Sequence, residues 1–71
     1  LVAVLASSRL EHVLVQGEVE TFAIAADGSV RWRIAHSDVV AEAEIVGGRL
    51  VLTSYGGVIA ALDPATGRPA G

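Results

Sequence analysis

Apolar residues in this chain come in short runs separated by glycine-bearing breaks, and nowhere at a spacing that sustains a helix face. The runs cover residues 1–6, 11–16, 19–25, 29–35, 39–46, 49–54 and 58–63. Ser7-Ser8-Arg9 breaks the first and Gly17 ends the second. Ala26-Asp27-Gly28 closes the third with an Asp-Gly pair suited to a tight hairpin turn. In 29–35, Val30, Trp32 and Ile34 alternate with Ser29, Arg31 and Arg33, the period of a half-exposed strand with its arginines in water. His36-Ser37-Asp38 then leads to 39–45, where alanine and glutamate would also suit a helix. The shortness of that stretch and the Gly47-Gly48 pair after it predict a strand instead. The whole chain reads as an antiparallel meander of seven or eight strands.

The meander repeats itself. Val13 and Val51, Val15 and Thr53, and Ile24 and Leu62 each stand 38 positions apart. Gly28 and Gly67 are 39 apart, the extra residue falling in the longer Asp63-Pro64-Ala65-Thr66-Gly67 turn. A period near 40 made of short strands predicts two successive four-stranded units, as in propeller blades or a solenoid. The first unit spans 1–38 and the second 39–71, its last strand cut short.

Ala61-Leu62-Asp63-Pro64-Ala65-Thr66-Gly67 resembles the A-x-D-x-x-T-G core of the pyrroloquinoline-quinone-like β-propeller repeat. That repeat carries a tryptophan four residues after its glycine, and Trp32 stands four residues after Gly28. The first copy has the shorter Ala-Asp-Gly turn, without the aspartate–threonine pair; the second has Gly71 where the tryptophan belongs. The resemblance implies an all-β chain of about two blades, with Trp32, Asp63, Thr66 and Gly67 as its structural positions. Trp32 would then dock where the outermost strand meets the next blade. The resemblance also implies a periplasmic or extracellular setting. Its partners would be further blades, from the same chain or from identical copies.

Composition narrows the function. The chain is 52% hydrophobic and 18% charged, too apolar for a disordered segment. No cysteine is present, which excludes disulfides and thiolate chemistry. A net charge of −3 with no lysine argues against nucleic-acid binding. The longest apolar run, 1–6, is far short of the ~20 residues of a membrane helix. Mean hydropathy of +0.56 is high for so small a domain and predicts that other copies, partners or further chain cover part of its surface.

Candidate chemistry is sparse. Glu42 and Glu44 share one strand face and could ligate calcium or a cofactor near a propeller channel. A solvated patch on the innermost strand is the favoured reading, and their counterparts at 38 positions' distance are Val4 and Ala6. His36-Ser37-Asp38 cannot form a triad, since adjacent residues do not converge as base, orienter and nucleophile must; a polar linker is expected. His12 reads as a strand histidine with no partner ligand spaced to share a metal. Arg31 and Arg33 read as solubilising charges on an edge strand. The expected function is a non-catalytic scaffold or binding surface, with no catalytic residue, metal or cofactor assigned. The alternative is a segment of a quinoprotein dehydrogenase using a quinone.

Overall fold

The computed structural model describes residues 1–6 and 11–70, and they form an all-β structure. Its strands are β1 (Ala3–Leu5), β2 (His12–Gln16), β3 (Glu20–Ala25), β4 (Val30–Ala35), β5 (Val40–Val46), β6 (Arg49–Ser54) and β7 (Ile59–Leu62). The ambiguous stretch at 39–45 is a strand: Val46 pairs with Arg49 across the Gly47-Gly48 turn, so the chain folds straight back on itself. The break expected at Ser7-Ser8-Arg9 lies outside the described residues.

All pairings are antiparallel. One sheet has the order β1-β2-β3-β4 and the other β5-β6-β7, and neither closes into a barrel. A fourth position in the second sheet is reduced to a bridge between Leu62 and Pro69, with the Ala70 N–H donating to the Ala61 carbonyl at 2.9 Å. Pro69 has no N–H to extend that ladder.

Strand alternation gives each sheet one covered face. Leu14 and Ala23 of the first sheet meet Val40, Leu50, Leu52 and Leu62 of the second in a shared core. Leu5, Trp32, Ile34, Ala43 and Ile45 pack at its margin. Burying a side chain the size of Leu14 or Leu50 contributes about 1.5–3 kcal/mol. Val30 departs from the expected alternation and is exposed. A bulge sets Ala23 opposite Trp32 but Ile24 opposite Val30, so Arg31 is the extra residue and Val30 swings to the outer face.

The pairing also corrects the repeat register. Val13 faces Ile24 while Leu50 faces Leu62, so Val13 corresponds to Leu50, 37 positions on, rather than to Val51. The cause is a longer second hairpin: Val15 to Phe22 spans seven positions, and Leu52 to Ala60 eight. His12 consequently corresponds to Arg49, and Glu42 and Glu44 to Ala3 and Leu5.

Candidate junction site

Among the described residues, the densest convergence of chemistry-bearing side chains is where β4 meets the 63–67 turn. Trp32 projects from β4 toward the second sheet because the bulge leaves it on the same face as Ala23. Its indole Nε1–H donates to the Pro64 carbonyl at 3.1 Å. His12, from β2, reaches the same oxygen through Nε2 at 2.7 Å. A carbonyl only accepts, so this nitrogen carries the proton. The two rings meet edge to face, 86° between planes and 6.3 Å between centroids.

The turn is shaped to receive the indole. Asp63 accepts the Ala65 N–H through Oδ1 at 2.9 Å, and its carbonyl accepts the Gly67 N–H at 2.7 Å. Thr66 Oγ1 accepts the Arg68 N–H at 3.3 Å. Gly67 is buried and has φ of 75°, and a Cβ placed on it would lie 2.5 Å from Trp32 Cε3. Only a residue without a side chain admits the ring there. Gly28 holds the matching turn of the first sheet with φ of 89°, but nothing lies within 4 Å of a Cβ at that position. There the turn is built from different groups, with Ser29 donating both its N–H and its hydroxyl to Asp27 Oδ1. Those two bonds hold the Asp27 carboxyl below its ordinary range.

Trp32, Asp63, Thr66 and Gly67 are thus brought together around one turn. Glu42 and Glu44 lie elsewhere, exposed on β5 beside a shallow cavity of about 300 Å³ that Val2 and Ala3 also line. Among the described residues no group of three or more potential ligands is placed to hold a metal ion. A depression of about 820 Å³ sets Arg49 and Arg68 beside Asp63 and Thr66, and all four are exposed.

A second polar cluster ties the linker to the first sheet. Gln16 and Thr21 are fully buried opposite one another on β2 and β3. Gln16 Nε2 donates to the carbonyls of Gly17 and Glu20, which leaves its Oε1 to accept from the Thr21 hydroxyl at 2.6 Å. Having spent its one proton, Thr21 Oγ1 accepts from His36 Nε2 at 2.6 Å. His36 is thereby fixed as the Nε2–H tautomer. Asp38 turns away from it, and its Oδ1 accepts the Val39 N–H at 2.9 Å. Two signals in the sequence could have exposed this cluster: Gln16 stands two residues after Leu14 and Thr21 two before Ala23, polar residues in phase with the core face.

Burial lowers the His36 pKa from its ordinary 6.5. The unfolded chain therefore binds a proton that the folded chain resists. Stability is fully present above pH 6.5 and falls as pH drops from there through the lowered folded value. Urea midpoints measured across that window should decline with acid, and His36→Asn should flatten the decline. An equal decline in both proteins would place its origin elsewhere.

No family model, curated protein or solved structure matches the chain.

Proposed function

We propose that the chain is two stacked units of a quinoprotein-like β-propeller and serves as a non-catalytic scaffold or binding surface. The observation that carries the proposal is the seat of Trp32 on Gly67 and the Pro64 carbonyl, which joins one sheet to the turn of the next. Support also comes from the matching turns at Gly28 and Gly67, and from the bridge between Leu62 and Pro69, which stands where the Ile24–Val30 pair stands in the first sheet. In this view Asp63 and Thr66 shape the turn, and Glu42 and Glu44 line the inner edge as solvated carboxylates. Further units, from additional chain or identical copies, are its natural partners.

Purified protein incubated with calcium and a soluble quinone tests the scaffold role against the dehydrogenase alternative. The expected result is no retained quinone absorbance after desalting. Retained absorbance that Glu42→Gln and Glu44→Gln abolish would overturn the scaffold proposal in favour of the dehydrogenase.

A further inference from the structure

We infer that the depression between the Gly47-Gly48 hairpin and the 63–67 turn takes an extended acidic peptide segment of a partner protein. This rests on the binding-surface reading and names the partner's chemistry. The depression, about 820 Å³, is lined by Gly47, Gly48, Arg49, Asp63, Thr66 and Arg68 among others. Arg49 and Arg68 are exposed. Among the described residues the one ion pair is Arg33 with Glu20, so neither guanidinium has a carboxylate partner there. Both arginines bond through the main chain alone: Arg49 pairs with Val46 across the hairpin, and Arg68 gives its N–H to Thr66 Oγ1 while its carbonyl accepts the Asp63 N–H. The first unit builds the same positions without a cation. By pairing register Arg49 corresponds to His12. Arg68 corresponds to Ser29, whose carbonyl accepts the Ala25 N–H as that of Arg68 accepts the Asp63 N–H. Both guanidiniums are therefore additions to the shared framework, and both stand at one depression.

Further hydrogen-bond donors surround the two charges. Gly47 and Gly48 turn the hairpin with φ of 57° and 78°, and among the described residues their N–H groups have no acceptor. The Thr66 hydroxyl, which accepts from Arg68, has no acceptor there for its own proton. A guanidinium meets a carboxylate through two parallel N–H···O bonds, each roughly twice as strong as a neutral one. Asp63 then selects among anions. Its Oδ1 is spent on the Ala65 N–H, and the charge on its second oxygen opposes a free phosphate. An extended peptide satisfies both signs at once: its acidic side chains meet the arginines while a main-chain N–H donates to Asp63 Oδ2. Alternate side chains of a strand lie on one face, roughly 7 Å apart, so acids at every second position present a row of carboxylates. The net charge of −3 does not prevent this, because charges more than about 8 Å away are largely screened at physiological ionic strength.

The test is titration of the 71-residue chain with a blocked peptide of alternating glutamate and alanine, followed by amide NMR shifts. Shifts should concentrate at Gly47, Gly48, Thr66 and Arg68, and binding should weaken as salt rises. Arg49→Gln and Arg68→Gln, each folded by circular dichroism, should each bind the peptide about tenfold more weakly. Asp63→Asn keeps an oxygen for the Ala65 N–H but puts an amide donor in place of Oδ2, so it should also bind the peptide more weakly. Inorganic phosphate should bind the wild type more weakly than the peptide does, and Asp63→Asn should strengthen that binding. Tighter peptide binding by Asp63→Asn, or phosphate bound as strongly as peptide, would mean a simple anion site and overturns the inference. Peptide shifts that survive the combined arginine substitutions, or no shifts in the wild type, overturn it as well. Any of these failures leaves the scaffold reading standing, since that reading falls to a retained quinone and not to an unbound peptide.

Discussion

Replacing Trp32 by alanine should cost about 3–5 kcal/mol, the range for large aromatic truncations in packed sites. The indole is half-buried between the sheets, fills the space above Gly67 and satisfies one lone pair of the Pro64 carbonyl. Folded domains hold roughly 0.05–0.15 kcal/mol per residue, so a chain of 71 residues has about 4–11 kcal/mol in all. The variant is therefore expected near its own unfolding threshold. Trp32→Phe keeps an aromatic face but not the donor, and should lose about 1–2 kcal/mol, chiefly the hydrogen bond and part of the packing. Urea unfolding followed by circular dichroism reads both. An alanine variant as stable as the phenylalanine variant would show that the ring contributes little beyond its N–H.

The second large effect is expected at Gly67. Gly67→Ala meets two obstacles: φ of 75°, and a Cβ 2.5 Å from the indole. Gly28→Ala meets only the first, at φ of 89° with open space around it. The backbone component should be about 1–2 kcal/mol at either site. The difference between the variants then measures what the indole contact demands, and Gly67→Ala should exceed Gly28→Ala by at least about 1 kcal/mol. Equal losses would place Trp32 away from the turn. Combining Gly67→Ala with Trp32→Phe should be less than additive, since both changes disturb one contact.

Period-two alternation and glycine punctuation were enough to place the seven strands of the described residues and to read 39–45 as extended. They work because each sheet has one covered face, filled chiefly by Leu14, Ala23, Leu50, Leu52 and Leu62, even though Val4, Val13, Val30 and Ile59 stand exposed on the other faces. The correspondence between the two sheets, read along the chain, is one residue out of step with the pairing. Counting along the chain cannot detect that the hairpin after Ser54 is longer than the one after Gln16, and that single residue reassigns every partner of β6. Val30 escaped for a related reason: the bulge at Arg31 is invisible to strict alternation. Trp32, Asp63, Thr66 and Gly67 stood out through the resemblance of their motif to a known repeat. The role of His12 did not, because its partner is a main-chain oxygen 52 positions away, which no side-chain pattern announces. The Gln16–Thr21–His36 chain was likewise hidden, since its meaning lies in which group has a proton left to give.

The Pro64 oxygen has a mechanical consequence. It takes one donor from β2 and another from β4, two strands on either side of β3 in the first sheet. Two supports meeting at one point act as a pivot: the sheets can roll slightly about it, but sliding one past the other breaks both bonds together. Shear between the sheets should therefore meet an abrupt yield, while rocking stays soft. Thermal motion at this junction should accordingly appear as rotation of one sheet on the other, with the pairing register preserved.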